Sequence, residues 1–140
     1  MNQEPSFPRS NTKLHRVLIV DDDKEMVNAI TRLLALTDNF EIRTACDGFM
    51  AMMRFKEWQP DVIIMDIRMP GLDGYELCRR IRTEEVGKGV KIFAISGMIS
   101  DVEAGKLPGI GVDQFLAKPF DNSELLDKLY TLVNLPTDSR

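Results

Sequence analysis

Val17-Leu18-Ile19-Val20 runs straight into Asp21-Asp22-Asp23: four apolar residues without a break, then three carboxylates. A strand with one wet face alternates apolar and polar residues. An unbroken apolar run of this length belongs to a strand covered on both faces, as in a parallel sheet packed between helices. Two further runs share the pattern, Val62-Ile63-Ile64-Met65 and Ile92-Phe93-Ala94-Ile95. Phe40 to Ala45 is interrupted by Glu41 and Arg43, as suits a less protected edge strand, and Gln114 to Ala117 makes a short fifth strand.

The segments between these runs have helical spacing. Met26, Ile30, Leu33 and Leu34 line one face of a helix starting near Lys24. A second helix extends from Gly48 to Trp58 and must stop before Pro60, which disfavours helix at Gln59. Gly74, Leu77, Cys78 and Ile81 form a third stripe. In the fourth segment Ser100 or Asp101 is a fitting N-cap, but Gly105, Pro108, Gly109 and Gly111 limit the helix to about two turns ending near Leu107. The last helix opens with Asp121 and Glu124 spaced as a capping box and buries Leu125, Leu129 and Leu132. Five strands alternating with five helical segments predict an α/β fold, a doubly wound parallel sheet with helices on both faces.

The length of 140 residues suits one domain, and the 44% apolar and 29% charged composition is ordinary for a globular protein. Met1 to Leu14 is polar, broken by Pro5 and Pro8, and predicted to be a disordered tail. The folded unit is expected over 15–134, with 135–140 as a second tail. The first residues lack the apolar run of a signal peptide and no stretch approaches a membrane span, so a cytoplasmic protein without membrane contact is expected. A net charge of −4 argues against direct nucleic-acid binding. Cys46 and Cys78 are too few for a disulfide framework or a zinc site, and both are expected to be small buried hydrophobes.

In doubly wound sheets the functional site lies beyond the carboxyl ends of the strands. Here those ends carry chemistry. The first strand ends in Asp21-Asp22-Asp23, the third in Asp66, the fourth in Ser96, and the fifth in Lys118-Pro119. Carboxylates held ~4 Å apart repel by a few kcal/mol at an effective dielectric near ~20, so a cation has to sit among them. Mg²⁺, a hard oxygen-seeking ion, and the Lys118 ammonium are the natural candidates. Helix capping accounts for one aspartate but not for four strand ends equipped at once.

The segments Val-Leu-Ile-Val-Asp-Asp-Asp (17–23), Val-Ile-Ile-Met-Asp-Ile-Arg-Met-Pro-Gly-Leu-Asp-Gly (62–74), Ala-Ile-Ser-Gly (94–97) and Phe-Leu-Ala-Lys-Pro-Phe (115–120) resemble the receiver domain of two-component response regulators. The likeness covers roughly Arg16 to Val133. It implies a flavodoxin-like sheet of order 2-1-3-4-5, and a phosphoryl group accepted on Asp66 from a histidine kinase or histidine phosphotransfer protein. By the same resemblance Asp22 is a direct Mg²⁺ ligand, Asp21 lies in or just behind that shell, and the Arg68 backbone carbonyl adds an oxygen. Ser96 bonds a phosphoryl oxygen, Lys118 pairs with the phosphate across a cis peptide to Pro119, and Phe115 is the switch aromatic. The output is expected to be a conformational change read by a downstream protein, the chain promoting its own phosphorylation and dephosphorylation without being an enzyme. In this family the residues at Arg68 and Met98 flank the path of the hydrolytic water. Neither side chain offers a carboxylate or amide to orient it, so slow dephosphorylation is expected.

Other readings fit less well. A haloacid-dehalogenase-type phosphatase wants Asp-x-Asp-x-Thr after the first strand, but Glu25 stands four residues after Asp21 and no cap insertion follows. Neither dinucleotide nor P-loop glycine motifs occur. A scaffold that has lost phosphorylation would not need the intact set of Asp21, Asp22, Asp66, Ser96 and Lys118. His15 precedes the first strand as surface filler, and Trp58 is expected to pack rather than recognise. On the second helix, Ala51, Met52 and Phe55 suffice for the inward face, which leaves Phe49, Met50 and Met53 as a candidate partner surface.

Overall fold

Each of the three unbroken apolar runs forms a strand, and these runs are buried because helices cover both faces of the sheet. In the computed structural model, which describes residues 14–69, 73–97 and 99–136, β1 spans His15–Val20, β2 Phe40–Ala45, β3 Val62–Asp66, β4 Lys91–Ser96 and β5 Gln114–Ala117. Expectations for residues 1–13, for Met98 and for 137–140 lie outside the described residues. The strands form one parallel sheet of order β2-β1-β3-β4-β5. Alternate strand residues point into two cores. Leu18, Val20, Ile63, Met65, Ile92 and Ala94 face one side; Val17, Ile19, Val62, Ile64, Phe93 and Ile95 face the other.

The first core is closed by α2 (Gly48–Trp58) through Ala51, Phe55 and Trp58, and by α3 (Gly74–Thr83) through Leu77, Cys78 and Ile81. The second is closed by α1 (Lys24–Ala35) through Ile30 and Leu34, and by α5 (Asn122–Leu132) through Leu125 and Leu129. Caps set the helix starts. The Asp23 side chain accepts the N–H groups of Glu25 and Met26 at the head of α1, and Asp121 and Glu124 make the expected capping box on α5. At its other end α2 stops where Gln59 turns left-handed (φ 52°), ahead of Pro60.

The fourth helix, α4, is only Asp101–Lys106, capped by Ser100, and none of its residues is buried. A 3-10 turn over Pro108–Ile110 follows, and Leu107 between the two is the buried anchor. Arg82 ties this region to the sheet. Its guanidinium donates to the carbonyls of Gly87 and Val90 (2.7 Å each) and Gly111 (2.6 Å), and to Asp113 Oδ2 (2.9 Å). Gly111 adopts φ +100°, and a Cβ there would come within 2.6 Å of Arg82 Nε, so both backbone shape and the clamp require glycine.

One expectation needs correction. Cys78 is buried, but Cys46 is exposed, because it lies just past the end of β2, on the open rim before α2. On α2, Met50 and Met52 pack against the first core, while Phe49 (65% exposed) and Met53 (64%) face outward.

Candidate functional site

The strand register aligns the chemistry. Val20 pairs with Met65, Asp66 with Ile95, and Ser96 with Ala117, so Asp21, Asp66, Ser96 and Lys118 all emerge at one edge of adjacent strands. Asp21 (4% exposed) is held by accepting the Asp23 N–H at 2.9 Å. Asp22 is exposed beside it. Asp66 accepts the backbone N–H of Arg68 on Oδ1 at 2.9 Å. Lys118, reaching in from the cis Lys118–Pro119 turn, donates to Asp21 Oδ2 at 3.3 Å and to Asp66 Oδ2 at 3.2 Å.

The electrostatics follow from this crowding. Burial pushes the Asp21 carboxyl above its usual range and the Asp66 charge adds to that, against the pull of the Asp23 N–H and Lys118. Burial pulls Lys118 down, but the Asp21 and Asp66 carboxylates outweigh it and its pKa lies above the ordinary lysine value. Carboxylate oxygens of Asp21, Asp22 and Asp66 lie within 4.8 Å of one another. Three carboxylates against one ammonium leave the cluster negative, and an all-oxygen donor set of this spacing suits Mg²⁺. Next to it, Ser96 is 1% exposed and its Oγ has no hydrogen-bond partner among the described residues. A buried hydroxyl left unpaired is costly, and its place at the edge of the acidic cluster fits a ligand oxygen that it would meet.

Two site residues point elsewhere. The Arg68 side chain does not turn to the aspartates: its Nη2 donates to both oxygens of Glu103, at 2.9 and 2.8 Å. Phe115 on β5 is half-buried against the first core and borders a cavity of about 210 Å³ shared with Ala104, Leu107 and Val112. Sequence reasoning missed Glu103 and also Tyr75, whose hydroxyl donates to Glu103 Oε2 at 3.1 Å. Glu103 lies 35 residues from Arg68, and no local pattern links them.

A doubly wound parallel α/β sheet with an acidic, lysine-bridged pocket beyond its strand ends carries that pocket where folds of this class carry their functional site. The chain belongs to the response regulator receiver domain family, whose model matches residues 17–130. Protein PilG of Pseudomonas aeruginosa is 33% identical over 111 residues, 79% of this chain and 82% of PilG. The transcriptional regulatory protein PrrA of Mycobacterium leprae is 36% identical over 118 residues, 84% of this chain but 49% of PrrA. The chain thus spans about half the length of such curated relatives. Among solved structures, the chemotaxis response regulator CheY4 of Vibrio cholerae superposes with a TM-score of 0.80 at 28% identity, covering 86% of this chain and 99% of CheY4. The signal receiver domain of a response regulator from Bermanella marisrubri gives 0.78 at 35% identity, covering 87% and 100%. Among the described residues, no helix is long and apolar enough to cross a membrane.

Proposed function

We propose that residues 15–134 form a phosphorylation switch in which Asp66 accepts a phosphoryl group from a histidine kinase or histidine phosphotransfer protein. The observation that carries the reading is the Asp66 carboxylate held between the Lys118 ammonium and the Arg68 N–H, one strand away from the Ser96 hydroxyl, which has no partner among the described residues. An Asp66 oxygen attacks phosphorus, and the P–N bond of the donor imidazole breaks. Its electron pair stays on the leaving nitrogen, which takes up a proton. Such transfer depends on positioning and charge neutralisation. Lys118 supplies one positive charge and fixes the carboxylate. Asp21, Asp22, Asp66 and the Arg68 carbonyl would hold Mg²⁺, which when bound neutralises charge on the transferring group. Ser96 gains in the phosphorylated state the acceptor it lacks, and its inward movement frees room for Phe115 beside the cavity it borders with α4. A downstream protein then reads the altered face. The setting is the cytosol, the compartment of the ATP from which such phosphoryl groups derive.

Incubation with a small phosphodonor and Mg²⁺ should add one phosphoryl mass that hydroxylamine removes. Asp66→Asn should abolish the adduct and chelation of Mg²⁺ should suppress it. Asp73→Asn is the control, because Asp73 caps α3 by accepting the Glu76 N–H and asparagine caps equally well. Labelling of Asp66→Asn at the wild-type level would overturn the assignment.

A further inference from the structure

Glu103 gathers four groups from three elements. Its carboxylate accepts from Arg68 Nη2 in the loop after β3, from the Tyr75 hydroxyl in the first turn of α3, and from the Ser100 backbone N–H and hydroxyl at the head of α4. The Ser100 N–H, with Tyr75 and Arg68 behind it, holds the carboxyl below the usual range, so it is ionised wherever the protein is folded near neutrality. Arg68 meanwhile gives its backbone N–H to Asp66. One residue therefore links the phosphoryl-acceptor aspartate to the start of α4.

We propose that Glu103 is a positioning residue for the phosphoryl site: it holds the Arg68 guanidinium against α4 while Asp66 is unmodified and yields it once a phosphoryl group is present. The inference rests on the reading of Asp66 as phosphoacceptor. A phosphoryl group carries nearly two negative charges and three acceptor oxygens, against the single charge of Glu103, and both present the geometry a guanidinium fork prefers. Arg68 is two residues from Asp66, so exchange needs a side-chain rotation rather than a backbone rearrangement. The pair is also weak enough to exchange. Its side chains are 49% and 37% exposed, and exposed ion pairs are largely screened by water. Glu103 itself stays put when Arg68 leaves, because Tyr75 and Ser100 still hold it. Release removes the tie between the acceptor loop and α4, a six-residue helix with no buried residue of its own.

Linkage makes the device measurable. If phosphorylation weakens the Arg68–Glu103 pair, loss of the pair must strengthen binding of a phosphoryl mimic by the same factor. The probe is beryllium trifluoride with Mg²⁺, a tetrahedral anionic stand-in for the phosphoryl group, titrated by calorimetry. Glu103→Gln removes the charge but keeps a capping-box side chain, so α4 remains capped. We expect Glu103→Gln to bind the mimic about two- to fivefold more tightly, a range set by the modest worth of an exposed ion pair made through one guanidinium nitrogen. In an Arg68→Met background the same substitution should change nothing, whereas a purely structural role of Glu103 in α4 would persist there. If wild type binds the mimic but Glu103→Gln binds it equally or less well, or if the effect survives Arg68→Met, the clamp is wrong and the Asp66 reading stands. If wild type takes up no mimic while correctly folded, the Asp66 reading fails and the clamp falls with it.

Discussion

Gly105 offers a direct way to alter α4 without touching the acceptor site. It lies in the last turn of α4, it is exposed, and a Cβ built there has nothing within 4 Å. Gly105→Ala therefore introduces no clash, and its effect is the conformational freedom it removes, about 0.5–1 kcal/mol in favour of the helix. α4 has little else to hold it. Six residues are far below the length at which a helix is stable by itself, so the Ser100–Glu103 capping box, the Arg68 and Tyr75 contacts and the Leu107 anchor supply its order. Local opening should then be the main route of amide exchange. A gain of about 0.5–1 kcal/mol slows it about two- to fivefold. The reporters are the Ala104 N–H, bonded to Ser100 O at 2.9 Å, and the Leu107 N–H, bonded to Ala104 O at 3.2 Å. In wild type these amides should exchange fastest among the described helices and change most on phosphorylation. In Gly105→Ala they should slow while α5 stays unaltered, and the phosphorylation response should shrink. Equal slowing throughout the domain would refute the reasoning, because it would mean that α4 opens only when the whole domain does.

Three further outcomes follow from other contacts. Arg82→Met strips hydrogen bonds from three carbonyls and Asp113 at a side chain only 22% exposed, and should cost about 3 kcal/mol, or roughly 10 °C in thermal midpoint, with Arg82→Lys recovering only part. A thiol reagent should modify one cysteine per native chain, the exposed Cys46, because burial pushes the Cys78 thiol up to about 12. Above the ordinary thiol value of 9.0 the unfolded Cys78 loses its proton while the folded one keeps it up to about 12, so stability should fall with rising pH across that window, less so in Cys78→Ala.

The sheet was legible because a parallel strand buried on both faces tolerates almost no polar residue, so Val17–Val20, Val62–Met65 and Ile92–Ile95 announced themselves as unbroken runs. The acidic pocket was legible for a related reason: where burial ends, the next residue stands on the rim, and the register places those residues side by side. Punctuation gave the α4 boundaries, with Ser100 before and Pro108 after. Cys46 was misjudged because an apolar thiol next to a strand resembles a strand residue, although the buried run stops at Ala45.

Contacts whose partners leave no trace in the neighbouring sequence were harder to see. Arg82 bonds mainly to backbone carbonyls, and every residue has one, so nothing at Gly87, Val90 or Gly111 signals the partner. Glu103 was concealed differently. Three residues after Ser100 it completes a capping box, and that local role accounts fully for a glutamate at this position. Yet an ionised carboxylate offers about four lone-pair sites, and the cap needs only part of them. The surplus acceptors face the loop after β3, where Arg68 has donors to spare because its backbone, not its side chain, serves Asp66. The cap and the ion pair therefore share one side chain, and through Arg68 that side chain ties the head of α4 to the loop that follows Asp66.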